Sequence, residues 1–189
     1  MTEDKKIFIK STEFIYRAEH LTLEGTCSID HGPRKFKIKN IYVDKYPVTN
    51  QKYLDFVKKT GYQPNDPQRF LDHKPNKSQS LLPVVCVSQK DAMEYAKWVG
   101  GRLPLDEEWQ YIAAGPNYND WPWGDQFNPL WCNHDNNSLK PVNFYKKASS
   151  WCGCEDLSGN AWEWTAGIHD DGQHQFTLIR GGSFFYAQD

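Results

Sequence analysis

From residue 116 to residue 175 the chain is rich in Trp, Gly, Asn, Pro and Asp, and no apolar period of 3.6 or of 2 is sustained. Strands in such a stretch must be short and the remainder loop, so its order has to come from elsewhere. Packed aromatic rings are one source and bound cations another, because loop carbonyls and carboxylates are the ligands Ca²⁺ prefers. The whole composition points the same way: 8 Trp, 10 Tyr and 10 Phe stand among 189 residues whose mean hydropathy is -0.77. Few aliphatics and many rings describe a loop-rich fold with an aromatic core.

Regular elements are predicted before that stretch. Arg34 to Lys39 alternates basic and apolar residues, as a strand with one wet face does, and it runs into Ile41 to Val48, where Pro47 is tolerated at a strand end. Thr49 reads as an N-cap for a helix over 50–60 that buries Tyr53, Phe56 and Val57 and stops at Gly61. Residues 62–82 carry loop chemistry over a length unusual inside a compact domain. Pro83 to Val87 reads as a short buried strand with Cys86 in the core. Ser88 and Asp91 form a capping pair for a second helix carrying Ala92, Tyr95, Ala96 and Val99, ended by Gly100 and Gly101. Asp106, Glu107 and Glu108 open a third helix with Trp109, Ile112 and Ala113 inward, stopped at Gly115 and Pro116. Thr177 to Arg180 reads as a last strand, and residues 1–12 give no clear signal.

The length suits one domain. A net charge of -2 gives no electrostatic footprint for nucleic acid or an anionic membrane. No apolar stretch is long enough for a signal-peptide core or a membrane span, so a cytoplasmic protein is expected. Cys27, Cys86, Cys132, Cys152 and Cys154 are odd in number and scattered, unlike a secreted disulfide framework, and reduced thiols are expected.

A set of phrases in fixed order carries a family resemblance. Tyr46-Pro47-Val48-Thr49-Asn50 precedes the first helix and Pro83-Val84-Val85-Cys86-Val87-Ser88 the second. Gly101-Arg102-Leu103-Pro104 leads to Glu108-Trp109, and Trp121-Pro122-Trp123-Gly124-Asp125 follows. The run Asp156-Leu157-Ser158-Gly159-Asn160-Ala161-Trp162-Glu163-Trp164-Thr165 and then Arg180-Gly181-Gly182-Ser183-Phe184 complete it. Together they make residues 14–189 resemble the formylglycine-generating-enzyme (sulfatase-modifying-factor) family, with 1–13 as an extension. The resemblance implies an α+β, C-type-lectin-like fold: a small twisted antiparallel sheet, about three helices and extensive ordered loops. It also implies that the family's C-terminal closing segment is missing, leaving a sheet edge for an oligomer or a partner to complete.

The resemblance implies site residues as well. A family calcium site maps onto Asp156, Gly159, Ala161 and Glu163, a mixed oxygen set suited to structural Ca²⁺ and poor for Zn²⁺. Its plain alternative is a turn capped by Asp156 with Glu163 paired to an Arg or Lys. A second calcium loop would begin at Asn133, or be a solvated Asx-rich turn. In the family's oxidases a cysteine pair binds Cu(I), the first cysteine lying three positions beyond the serine of the Arg-Gly-Gly-Ser phrase. That position is Tyr186 here, a phenol does not replace a soft thiolate, and copper is not expected. Cys152-Gly153-Cys154 matches no family motif; a Cys-x-Cys pair can bind soft metal or act in redox, and otherwise it is structural. Arg102 and Arg180 are read as partners of buried carboxylates. The Trp121/Trp123 and Trp162/Trp164 pairs are read as packing aromatics first. The six histidines show neither ligand spacing nor a Ser-His-Asp order.

The function expected is therefore a non-oxidase member of that family, binding a protein or small-molecule ligand. Two alternatives stand beside it. One is an oxidoreductase that converts a peptidyl cysteine of a sulfatase to formylglycine once a missing segment completes its site. The other is a C-type-lectin-like variable display protein.

Overall fold

The computed structural model describes residues 5–17, 21–24, 27–30, 33–66, 77–170 and 172–185. Its N-terminal part is one ribbon folded back on itself. Strand β1 (Lys6–Ile9) pairs antiparallel with β6 (Ile41–Asp44), β2 (Thr12–Tyr16) with β5 (Arg34–Ile38), and β3 (Leu21–Glu24) with β4 (Cys27–Asp30). The three pairs nest inside one another. The alternation of Arg34 to Lys39 is one leg of this ribbon, with Ile38 turned into the core and Arg34, Lys35 and Lys37 to solvent. β1 lies within the stretch set apart as an extension, yet its Ile9 is fully buried in the main cluster.

The helices form where their caps predict. α1 (Asn50–Thr60) has Thr49 as N-cap, its hydroxyl accepting from Lys52 N–H, and Gly61 at φ 70 as its left-handed end. α2 (Gln89–Trp98) carries the full capping box of Ser88 and Asp91. Its Asp91 is almost fully buried because it also accepts from Tyr62 Oη and Asn65 N–H, both at 2.8 Å. α3 (Asp106–Ala114) ends at Gly115. Its first-turn acids are more than dipole partners, since Asp106 and Glu108 are buried ion-pair members.

Two expectations are corrected and a third is extended. Residues 83–87 form no strand: only Pro83 bridges, to Thr49, and Cys86 sits at φ 60, which breaks an extended run. Cys86 is half-buried rather than core. The strand at 177–180 is the end of a longer hairpin, β7 (Glu163–Asp170) with β8 (Gln175–Arg180), whose register shifts between Trp164 and Ile168. Part of the 62–82 loop, residues 67–76, lies outside the described residues, as do Tyr186, His20, His31 and His73.

The core is built from rings. One cluster joins Phe14 and Tyr16 of β2 to Tyr111 and Ile112 of α3, with Ile9, Ile38 and Leu157. A second joins Tyr53 and Phe56 of α1 to Tyr95 of α2. Phe56 and Tyr95 meet edge to face at 5.7 Å. Among the described residues no helix is long and apolar enough to cross a membrane.

Candidate functional site

Between α3 and β7 the chain runs buried from Cys154 to Ala161, and this segment organises the long aperiodic region. Asn160, 1% exposed and at φ 64, is its centre. Its side chain accepts from Lys140 N–H at 2.9 Å and from Asn133 Nδ2 at 3.0 Å, and donates to Lys140 O at 3.1 Å. Its backbone N–H donates to Asn133 O at 2.8 Å, and its carbonyl accepts from Phe184 N–H at 3.0 Å. Gly159 crosses so close to Asn133 that a Cβ there would lie 2.3 Å from Asn133 O. The loop is therefore ordered by an amide network as well as by aromatics.

The residues expected to hold a cation fall around this network. Asp156 is buried at φ 61; Asn143 N–H serves its carboxylate, but Oδ2 has no hydrogen-bond partner. Burial, then the charge of Glu155, push Asp156 up to about 7. Glu163 opens β7, its carboxylate accepting from Trp109 Nε1 at 2.6 Å. Burial of that carboxylate raises Glu163 to about 7; the Trp109 bond opposes the rise and the charge of Asp156 adds to it. The guanidinium of Arg180, the cross-strand neighbour of Glu163, bonds Asp106 instead. Ala161 is buried between the two acids in sequence. Asn133, whose Oδ1 is also buried without a partner, joins Gly159 through a parallel bridge.

The buried Asp156 carboxylate, with its orphaned oxygen, and the half-buried Glu163 fit a hard cation in donor kind. Among the described residues no group of three or more His, Cys, Asp or Glu could hold a metal. A zinc-type centre of three or four thiolate or imidazole ligands therefore has no ligand set among them.

Beside this loop opens a cleft of about 380 Å³. Its walls include Val43 of β6, Tyr95 of α2, Trp109 of α3 and Trp164 of β7, and Glu155 and Glu163 line it as well. Glu155 is 4% exposed and paired with Lys45 at 2.9 Å, its second oxygen unpartnered. Trp164 is fixed by its Nε1 donating to Val87 O at 3.0 Å. The cleft is thus an apolar slot between the two aromatic clusters with a few polar groups in its walls, the usual make-up of a ligand site.

Cys154, 2% exposed, also borders the cleft. Its Sγ lies 3.8 Å from that of half-buried Cys152. The hydrogen bond between the two sulfurs holds the Cys152 thiol below its ordinary value, at about 6, against the pull of burial, while the same bond and burial raise Cys154. Both arginines read as structural do close on buried acids. Arg102 forks onto Glu108 with two bonds of 2.7 Å, and Arg180 onto Asp106 together with Tyr16. Trp121 and Trp123 stack at 5.8 Å and pack locally.

Sequence reasoning missed Asn160 and Glu155. Asn160 stood inside a quoted phrase, and its amide, adjacent to a glycine, was the available signal. Glu155 had none, since its partner Lys45 is 110 positions away.

Comparison with known proteins agrees with this architecture. The sulfatase-modifying factor enzyme 1-like domain model matches residues 1–189, and the chain belongs to that family. A Bos taurus relative named inactive C-alpha-formylglycine-generating enzyme 2 is 30% identical over 224 residues, covering 87% of this chain and 74% of its own. PvdO from Pseudomonas aeruginosa superposes with a TM-score of 0.70 at 20% identity, covering 96% of this chain and 83% of that one. Treponema denticola variable protein 1 superposes at 0.68 and 16% identity, covering 95% and 83%. These structures share the α+β, C-type-lectin-like fold of the formylglycine-generating enzymes.

Proposed function

We propose that this protein is a non-oxidase binding module of its family, which takes a protein segment or a small molecule into the cleft beside the 154–164 loop. The observation that carries this reading is the cleft itself: about 380 Å³, walled by rings from both aromatic clusters. Two further facts support it. Tyr186 stands where the family resemblance calls for the first copper-binding cysteine, and a related chain is named inactive. A structural Ca²⁺ belongs to the same reading, held by Asp156 and Glu163 with the carbonyls of Gly159 and Ala161, and a second by the loop at Asn133. Such an ion would supply positive charge that cancels the two carboxylates and fixes the loop forming one wall of the cleft.

The test has two arms. Anaerobic Cu(I) titration followed by oxygen and a Cys-x-Pro-x-Arg peptide is read by mass spectrometry. No aldehyde is expected, and aldehyde formation overturns the non-oxidase reading. In the second arm the native protein is titrated with the apolar dye 8-anilinonaphthalene-1-sulfonate. Uptake is expected, weakened about tenfold or more in a folded Ala92→Trp variant that fills the cleft. Uptake indifferent to that substitution removes the cleft as the binding site.

A further inference from the structure

Cys152 and Cys154 are used by nothing described so far, and their geometry is unlike that of the other described cysteines. Cys132 is buried against Ser158 and Cys86 lies on a separate loop. The Sγ atoms of Cys152 and Cys154 are in contact at 3.8 Å, so a bond of ordinary S–S length needs an approach of about 1.8 Å. The residue between them is Gly153 at φ 97, and a Cβ built there would meet only Ile7 Cδ1, at 3.7 Å. Glycine gives the short connection the backbone freedom that closure requires. The two sulfurs are also held by soft contacts: Cys152 by Ser150 Oγ at 3.3 Å and Ile112 O at 3.7 Å, Cys154 by Asp44 O at 3.9 Å. Breaking them costs little, since thiol hydrogen bonds are weak.

We propose that Cys152 and Cys154 form a redox-active dithiol, oxidised to an intramolecular disulfide by exchange with a small disulfide of the glutathione class. Access fixes the order of events, because Cys152 is half-buried and Cys154 is closed off. The Cys152 thiolate attacks one sulfur of the small disulfide, forming a mixed disulfide and releasing one thiolate, which takes up the proton Cys152 gave up. Cys154 then attacks Cys152 Sγ, passing its proton to the second departing thiolate as the mixed bond breaks. Two electrons and two protons leave the pair, and two small thiols are produced.

A bridge across a Cys-Gly-Cys segment closes so short a loop that it constrains the unfolded chain very little. Its value is as a reversible switch rather than a staple. Closing it draws Cys154 from the Asp44 carbonyl and Cys152 from the Ile112 carbonyl, and both of those residues line the cleft. The thiol chemistry does not depend on whether the cleft is filled.

The experiment exposes the native, reduced chain to oxidised glutathione, quenches it with acid and digests it with trypsin. Residues 148–180 form one tryptic peptide containing Cys152 and Cys154 and no other cysteine. This peptide is expected to lose two hydrogens, to carry no glutathione and to regain both hydrogens with dithiothreitol. In Cys154→Ser, glutathione is expected to remain trapped on Cys152; in Cys152→Ser, Cys154 is expected to stay unmodified. Should the Cys154 variant fail to fold, brief alkylation of the wild type gives the same order, with Cys152 blocked first and the ring then unable to close. Two free thiols after treatment, two separate glutathione adducts, or a ring formed only in denaturant overturns the proposal.

Discussion

Among the described glycines, Gly159 meets the tightest backbone approach. It sits at φ 76 with Asn133 O where its side chain would begin, 2.3 Å away. Gly159→Ala therefore combines a left-handed backbone with a clash against another backbone, and neither can relax without breaking the Asn160 to Asn133 hydrogen bond. A loss of about 3 kcal/mol or more is expected in urea unfolding. Gly172 supplies the comparison: its φ is 84, but nothing lies within 4 Å of its Cβ position. Gly172→Ala should cost only about 1 kcal/mol. Equal losses at both sites would mean that backbone handedness alone, not the approach of Asn133, makes Gly159 necessary.

Elements are joined at the N-terminus of α3. Asp106 receives Arg180 from β8 and the hydroxyl of Tyr16 from β2 at 2.6 Å, so one carboxylate ties three elements together. Burial pulls Asp106 upward, but the bonds from Arg180 and Tyr16 hold it below its ordinary value; burial, then Asp106, push Tyr16 up to about 12. Arg180→Met strands a buried charge and should cost about 3 kcal/mol in unfolding experiments. Arg180→Lys keeps the charge but not the fork, and should recover only part of that loss. Full recovery by lysine would show that charge, not bidentate geometry, joins the elements. The helices themselves were legible because their signals are local: Thr49, the Ser88 and Asp91 pair, and Gly61 lie within a few residues of the turns they cap. Strands β1 and β2 were not legible, since their residues show little alternation and their partners lie in β6 and β5. The Pro83 to Val87 phrase looked extended because nothing in its residue types announces a left-handed Cys86. Asp156, Gly159 and Glu163 were picked out by their phrase, but the reason for the phrase, an approach to Asn133 and its amide network, exists only in three dimensions.

Across the whole molecule, two groups of carboxylates oppose each other in their response to pH. Asp91, Asp106 and Glu108 are each drawn upward by burial, yet their hydrogen bonds, from Ser88, Arg180 and Arg102 respectively among others, hold them below their ordinary values. The stability they contribute is present above their unfolded values and is lost as pH falls. Asp156 and Glu163 behave oppositely. Their unfolded values are 3.8 and 4.5 and their folded values about 7. Between these limits the folded chain holds more protons than the unfolded one, so rising pH costs stability until both groups are ionised. A bound Ca²⁺ requires the ionised forms and would cancel that cost, so its affinity should rise through the same window. In EGTA the melting temperature is therefore expected to fall as pH is raised from about 5 to about 7.5. Millimolar calcium should remove most of the fall, and magnesium much less of it, because an octahedral ion that keeps its water suits a carbonyl-rich loop poorly. Asp156→Asn relieves one buried charge, so its slope in EGTA should be shallower and its response to calcium weaker. A wild-type melting curve indifferent to calcium across that range would leave the two acids titrating on their own, with no cation in the loop.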